Sequence, residues 1–179
     1  MKKQRNMPEY KGLKFDSQEE LDFVYFLEDL NIPYTYQPES LILAEPVKET
    51  ITVKLKTKEK KKEITLLQGC SYTADFVINS SDIDNKLASK LNLKKSSDSN
   101  YWIDIKANYI ANNDDVKFSV IRKWVYQKHN IYINKVQPSI LFQKTFCPDR
   151  CRYTEKTHKE KKCYQNCNNL SDFKKKENL

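Results

Sequence analysis

YWIDIK, residues 101–106, is a short apolar segment that contains one aspartate and one lysine. Read as a β-strand, it sends alternate side chains to opposite faces. Tyr101, Ile103 and Ile105 form an apolar face suited to a core, and the other face carries Asp104 beside Lys106. A strand this apolar belongs inside a sheet, so the carboxylate and the ammonium are expected to lie together where water is scarce.

Two earlier acids are expected to approach this pair. Asp75 lies in SYTADFVI, residues 71–78, which reads as a second strand. A carboxylate in the middle of an apolar strand is costly unless it is paired, hydrogen-bonded or metal-bound. Glu20 lies in SQEELDFVYFLEDL, residues 17–30, whose apolar spacing predicts a helix. The sequence therefore predicts three carboxylates near one lysine, with Asp104 at the centre.

Glu20 has two competing interpretations. Ser17 is a good N-cap and Glu20 follows three residues later, which is the spacing of a capping box. In that interpretation the carboxylate folds back on the helix end. In the other, it points with Val24 and Leu27 toward the sheet. Taken alone, the spacing favours the cap.

Composition sets broad limits. The chain has 179 residues and a net charge of +8, from 32 Lys and Arg against 24 Asp and Glu. The size suits one domain with an appendage, and the charge favours a polyanionic partner. The lysine-rich usage is explained equally well by an AT-rich genome. No apolar run reaches the ~20 residues of a membrane span and the basic N-terminus lacks the apolar part of a secretory signal, so an intracellular protein is expected.

Two further elements carry candidate nucleic-acid contacts. Residues 49–67 read as a hairpin in which Lys54, Lys56 and Lys58 share one strand face. Those lysines suit a nucleic-acid backbone, and they equally suit an exposed edge that resists aggregation. A helix over residues 116–129 buries Phe118, Ile121, Trp124 and Val125 and leaves Arg122 and Lys123 outside as further candidate contacts.

The remaining core segments complete an α/β order. Residues 80–100 read as a flexible insertion with one short amphipathic helix and a plain linker, without chemistry. Residues 130–136 predict an inward-facing strand, and residues 139–146 a final edge strand. Helix, strands, helix and strand in this order indicate a mixed β-sheet flanked by helices. The predicted divisions are a basic, poorly ordered arm (1–12), the core (13–146) and a cysteine-rich tail (147–179).

The tail contains two C-x3-C pairs. Cys147 with Cys151, and Cys163 with Cys167, would each share one face of a helix and together could close a tetrahedral zinc site. Two disulfides bracing a helical hairpin are the alternative. In the reducing interior of a cell, metal binding is favoured over disulfides.

The order Glu20, Asp75, Asp104 and Lys106 on helix, strand and strand resembles the PD-(D/E)xK nuclease superfamily. YTADF supplies its first aspartate and IDIK its D-x-K. Within the superfamily, FDSQEE followed by IPYTY is similar to the opening of phage-type Holliday-junction resolvases of the endonuclease I kind. The resemblance covers roughly residues 13–138. Alanine stands where the first motif usually has proline, and Ala107 where glycine usually follows the lysine.

This resemblance implies a restriction-endonuclease-like core and a metal-dependent endodeoxyribonuclease acting on branched or recombination DNA. It implies Mg²⁺ or Mn²⁺ held by Asp75, Asp104, the carbonyl of Ile105 and Glu20, with Lys106 orienting the nucleophile. Two symmetric cuts imply a homodimer. The alternatives are a restriction-like or transposase-type nuclease acting on duplex DNA, and a nucleic-acid-binding module that keeps the fold without catalysis.

Overall fold

The computed structural model describes residues 7–54, 58–107, 112–153, 159–161 and 164–177, and it is a mixed α/β structure. Its helices are α1 (Gln18–Asp29), α2 (Asn85–Lys90), α3 (Asn112–His129), α4 (Pro138–Lys144), α5 (Asp149–Arg152) and α6 (Leu170–Glu177). Its strands are β1 (Glu9–Tyr10), β2 (Leu13–Lys14), β3 (Thr35–Tyr36), β4 (Leu41–Ala44), β5 (Val47–Lys54), β6 (Glu59–Leu67), β7 (Cys70–Tyr72), β8 (Phe76–Asn79), β9 (Asn100–Ile105) and β10 (Ile133–Val136).

The central sheet has the strand order β10-β9-β8-β3. Strand β9, which contains most of YWIDIK, pairs in parallel with β10 and antiparallel with β8, so the sheet is mixed as predicted. Strands β4 and β7 form a separate antiparallel pair, and so do β5 and β6. The predicted hairpin over residues 49–67 is confirmed, and it stands largely exposed.

Both faces of β9 are buried. Tyr101, Ile103 and Ile105 belong to the larger hydrophobic cluster, which confirms the predicted core face. Trp102, on the opposite face, belongs to a smaller cluster that includes Phe118 of α3. A strand buried on both faces has to be apolar at nearly every position, which explains the composition of this segment.

Helix α1 begins and ends where the sequence predicts. The Ser17 hydroxyl accepts a hydrogen bond from the Glu20 N–H at 3.2 Å, and the helix ends at Asp29, before Pro33. Phe23, which is fully buried, packs edge-to-face on Phe76 of the sheet. The helix thereby covers one face of the central sheet.

The prediction of one continuous strand over residues 71–78 is wrong. The segment divides into β7, paired with β4, and β8, paired with β3 and β9. Asp75 lies in the bend between them, where its N–H donates to the Ile103 carbonyl at 3.1 Å and its carbonyl accepts from the Gln37 N–H at 2.8 Å. The strand breaks because the chain changes partners there, which no local alternation can reveal.

The predicted edge strand over residues 139–146 is a helix, α4. Pro138 occupies its first turn, where its missing N–H costs nothing. Leu141, Phe142 and Phe146 are buried, a spacing that suits a helix rather than a strand. The prediction that Trp124 is buried is also wrong, since 38% of it is exposed on α3.

Residues 80–100 contain the predicted short helix, α2, with Leu87 and Ala88 buried. The prediction of a plain, flexible linker after it is wrong. Ser96 is buried, and its hydroxyl accepts a hydrogen bond from the Tyr132 N–H at 2.9 Å. The buried Asn134 amide holds both backbone groups of Lys94, accepting from its N–H at 2.7 Å and donating to its carbonyl at 3.0 Å.

Both ends of the described chain contact α1. Tyr10, in the segment predicted to be a poorly ordered arm, belongs to the β1–β2 hairpin and donates a hydrogen bond to Glu28 at 3.0 Å. Arg150 donates to Glu28 and to Asp29 at 3.0 and 2.9 Å. Phe173 of α6 is buried in the same cluster as α1. None of the described helices combines the length and the apolar composition of a membrane span.

Candidate active site

Asp104 lies at the buried centre of the candidate site, near the end of β9. It is only 4% exposed, although it is an acid. Its Oδ1 accepts a hydrogen bond from the Tyr72 hydroxyl at 2.7 Å, and its Oδ2 forms an ion pair with Lys106. Among the described residues, Oδ2 makes this ion pair and accepts no further hydrogen bond.

Asp75 approaches the same strand from the bend between β7 and β8. Its Oδ2 accepts a hydrogen bond from the Ile105 N–H at 2.6 Å, which places Asp75 beside the residue that follows Asp104. Burial and the neighbouring Asp104 and Glu20 carboxylates raise the pKa of Asp75 to about 7, against the opposing effects of the Ile105 N–H and of Lys106. Buried acids that repel each other in this way would be stabilised by a bound cation.

Lys106 follows directly after β9 and is held there by its backbone. Its N–H donates to the Val136 carbonyl at 2.9 Å, which extends the pairing of β9 with β10. Its ammonium lies 5.0 Å from the centre of the Phe118 ring, a cation–π contact. The Lys106 side chain is 29% exposed against 6% for Asp104, so the lysine lies on the side of the site that faces solvent.

Glu20 is buried, with 6% of it exposed, and both interpretations of it have a structural basis. Its carboxylate accepts from the Ser17 hydroxyl at 2.8 Å, from the Asp16 N–H at 3.1 Å and from the Tyr36 hydroxyl at 2.8 Å. The first two contacts cap α1. Glu20 is also close enough to Asp75 to raise the pKa of that residue, so its charge belongs to the same site.

A divalent cation fits this chemistry in part. Asp75 and Asp104 supply hard carboxylate oxygens, Asp104 from β9 itself and Asp75 beside the Ile105 N–H. Within the described ranges, however, no three His, Cys, Asp or Glu side chains are grouped closely enough to hold a metal ion. Two carboxylates thus form the centre of the candidate site, and Glu20 acts on Asp75 through its charge.

The cysteines of the tail lie against α1. Cys147, Cys151 and Cys167 are buried, and the Cys151 thiol donates to the Asp22 carbonyl at 3.7 Å. Burial and the nearby Cys167 raise the pKa of Cys147 to about 12. The prediction that Cys147 and Cys151 share one face of a helix is wrong, because Cys151 lies in α5 whereas Cys147 precedes that helix. Cys163 falls outside the described residues, so the four-cysteine zinc site stays a prediction.

The predicted nucleic-acid contacts are dispersed over two surfaces. The prediction that Lys54 and Lys58 share one strand face is wrong, because Lys54 ends β5 whereas Lys58 precedes β6. Both are exposed on the hairpin, and Lys56 falls outside the described residues. Arg122 and Lys123 lie on α3, as predicted. The Arg122 guanidinium lies 5.8 Å from the centre of the Phe118 ring, which also contacts Lys106.

Two tyrosines that hold the acids were not identified from the sequence. Tyr72 binds Asp104 and Tyr36 binds Glu20. Burial and the adjacent carboxylates raise the pKa of both hydroxyls above the ordinary range, which keeps them protonated as donors. The available signal was weak: a buried tyrosine needs a hydrogen-bond partner, but the sequence does not say which one.

Comparison of the chain with protein-family models, with curated protein sequences and with solved structures gave no match.

Proposed function

We propose that this protein is a metal-dependent endonuclease that hydrolyses phosphodiester bonds in DNA. The observation that carries the proposal is the buried Asp104 carboxylate, ion-paired to Lys106, beside the partly buried Asp75, whose carboxylate accepts the Ile105 N–H. Buried acids are retained in a core at a cost in stability, and such groups concentrate at functional sites. The resemblance to the PD-(D/E)xK superfamily assigns the same residues the same roles.

Each residue has a distinct role in the proposed reaction. Asp75 and Asp104 would bind Mg²⁺ or Mn²⁺, with the Ile105 carbonyl as a further ligand. The bound ion would supply charge neutralisation at the scissile phosphate and a more acidic water. Lys106 would orient the attacking water and stabilise negative charge on the phosphate oxygens. Glu20 would act on the bound ion through a water molecule, and Tyr72 would fix the orientation of Asp104.

Branched DNA is the proposed substrate class, following the resemblance to phage-type junction resolvases. Cutting a junction symmetrically needs two active sites, so we propose a homodimer. The net charge of +8 supports a nucleic-acid partner without selecting branched over linear DNA. A duplex-cutting nuclease and a non-catalytic binding module remain the competing outcomes of the test below.

The test is cleavage of a labelled four-way junction beside linear duplex and single strand of the same sequence, in Mg²⁺, Mn²⁺ or EDTA. We expect paired nicks in the junction with either metal, no product in EDTA, and a rate at least about 100-fold lower for Asp104→Asn. Asp172→Asn, the same change at an exposed position of α6, should cut like the wild type.

Equal cutting of all three DNAs would keep the nuclease and remove the junction preference. Tight DNA binding without cleavage in either metal would identify the binding module instead. Analytical sedimentation of the same samples tests the homodimer. A protein that is active but purely monomeric would contradict it.

A further inference from the structure

A basic cavity of about 530 Å³ lies between α3, Tyr132 just before β10, and the segment that follows α2. Neither the resemblance nor the proposed reaction uses it. Four cations and two tyrosines line it: Lys94, Lys95, Arg122, Lys123, Tyr126 and Tyr132. None of the lining side chains is acidic, so within the described part of the chain the cavity walls carry positive charge only.

Two of the four cations lie against one aromatic ring. The Lys94 ammonium and the Arg122 guanidinium lie 5.1 and 5.5 Å from the centre of the same ring, that of Tyr132. Two like charges on one ring repel each other, and an anion seated between them would remove that repulsion. This wall of the cavity is therefore arranged for an anionic ligand.

The segment that contributes Lys94 is fixed to the central sheet. Asn134 of β10 is 3% exposed, and its side chain bonds both the N–H and the carbonyl of Lys94. Ser96 is bonded to Tyr132 in the same way. A surface lysine in a plain linker would have no such support. The insertion thus presents a preformed cationic wall to the cavity.

Tyr126 supplies an aromatic surface at the mouth of the cavity. It is 52% exposed, although its ring would gain from contact with another apolar or aromatic group. Cations beside an exposed aromatic ring are the combination that binds single-stranded nucleic acid, through phosphates and a stacked base. The volume lies in the range of about 300–1,000 Å³ that holds a drug-sized ligand, and one nucleotide is of that size.

The cavity lies next to the proposed active site and is linked to it by contacts of Phe118. The Phe118 ring contacts Lys106 at 5.0 Å and Arg122 at 5.8 Å from its centre, so a single side chain separates the two cations. A DNA strand whose phosphate lies at Lys106 would therefore pass the cavity with a neighbouring nucleotide. Bases stacked and paired inside a duplex cannot enter it, whereas an unpaired base can.

We propose that this cavity binds one unpaired nucleotide of a DNA strand beside the cleavage site, with its phosphates on the four cations and its base on Tyr126. The inference rests on the proposed function for the identity of the polymer. It gives the insertion over residues 80–100 a role in substrate recognition.

The test measures binding alone, in EDTA, so that it does not depend on cleavage. A fluorescein-labelled oligothymidylate and a duplex of equal length are titrated with the protein, and anisotropy is followed. We expect Tyr126→Ala to weaken binding of the single strand about tenfold and to leave duplex binding unchanged. The position is exposed, so the fold should survive, which circular dichroism checks.

The charges are tested with Lys95→Gln/Lys123→Gln. The salt dependence of single-strand binding should flatten, with the slope of log K against log[salt] falling by about 1.4 for two lost phosphate contacts. Lys175→Gln/Lys176→Gln removes the same charge from exposed positions of α6 and should leave that slope unchanged.

Three results would overturn the inference. The first is an unchanged single-strand affinity in Tyr126→Ala, and the second is an equal decrease of the salt-dependence slope in both double variants. The third is free thymidine monophosphate binding as tightly as the oligonucleotide. The proposed nuclease function would fail in a different assay, by showing no metal-dependent cutting. Loss of single-strand binding in Tyr126→Ala would support the cavity whatever the cleavage assay gives.

Discussion

The acids at the site are buried (Asp104, Glu20) or partly buried (Asp75), and specific donors hold each of them. Asp104 is supported by the Tyr72 hydroxyl, Asp75 by the Ile105 N–H and Glu20 by Tyr36. A buried carboxylate without such donors would cost several kcal/mol, so each donor makes one acid tolerable inside the core. Removal of a donor should change the free energy of unfolding, which can be measured without any knowledge of the substrate.

Tyr72→Phe removes the donor to Asp104 Oδ1 and keeps the ring. We expect the free energy of unfolding to fall by about 1–3 kcal/mol, because a buried charged acceptor loses its partner. Urea unfolding at neutral pH in EDTA is the measurement. Tyr126→Phe, which removes a hydroxyl from a half-exposed ring, should change stability by less than about 0.5 kcal/mol. Equal effects in the two variants would rule out the Tyr72–Asp104 bond as a stabilising contact.

Asp75 should make stability depend on pH. Its pKa rises from an ordinary 3.8 to about 7 on folding, because of burial and of Asp104 and Glu20, with Lys106 opposing. The folded protein then holds a proton that the unfolded chain releases, so the free energy of unfolding falls as pH rises from about 4 to about 7.

Asp75→Asn removes that titration. Without divalent metal, the stability of the variant relative to the wild type should increase by about 2–4 kcal/mol between pH 4 and pH 8. Urea unfolding of both proteins across this range is the measurement. Parallel profiles of stability against pH for the two proteins would show that the pKa of Asp75 does not rise on folding.

At the scale of elements, the N-terminus of α1 carries both a cap and a candidate catalytic acid. Ser17 and Glu20 form the reciprocal bonds of a capping box, yet the same carboxylate acts on Asp75. One helix end thus contributes to stability and to the charge of the site. Substitutions that keep the hydrogen bonds and remove the charge can separate these two roles.

Glu20→Gln keeps a side chain able to bond Ser17 and Tyr36 and removes the negative charge. We expect stability to stay within about 0.5 kcal/mol and DNA cleavage to slow at least about tenfold, because the site loses one carboxylate. Ser17→Ala should do the reverse, costing about 1 kcal/mol of stability with a smaller effect on rate. Full cleavage by Glu20→Gln would leave capping as the only role of Glu20.

Elements also show where sequence patterns mislead. Alternation in residues 71–78 predicts one strand, but β7 and β8 pair with different partners and Asp75 occupies the bend. Residues 139–146 predict an edge strand, but Leu141 and Phe142 pack into the core from the helix α4, and Phe146 packs there just after it. Short apolar segments fit both periods, and only the neighbours available in the fold choose between them.

On the scale of the whole molecule, the cysteine-rich tail packs into the main core. Phe173 is 1% exposed and lies 5.4 Å from Phe146, ring centre to ring centre. Cys147, Cys151 and Cys167 belong to the same buried cluster as α1. The stability of the core should therefore depend on residues close to the end of the chain.

Phe173→Ala tests this dependence directly. We expect a loss of about 3–5 kcal/mol, the usual cost of a cavity left by a fully buried phenylalanine. Thermal and urea unfolding give the measurement, and Lys175→Ala in the exposed part of α6 is the control, with an expected change below about 0.5 kcal/mol. A loss below 1 kcal/mol would mean that the tail folds apart from the core.

Local pattern alone was sufficient for the features that depend on neighbours in sequence. The capped start of α1, the apolar core face of β9, the β5–β6 hairpin and the pairing of Asp104 with Lys106 follow from spacings of a few residues. Each reflects a period or a cap that the backbone imposes wherever the residues occur.

The long-range contacts could not be read from the chain. The bend at Asp75, the tyrosines that hold Glu20 and Asp104, and the cavity formed by Lys94, Arg122 and Tyr126 join residues that lie far apart in sequence. Lys94 becomes part of a cavity only because Asn134, forty residues later, bonds its backbone. Such contacts form when packing brings elements together, so the tertiary fold selects them from many partners that the composition allows.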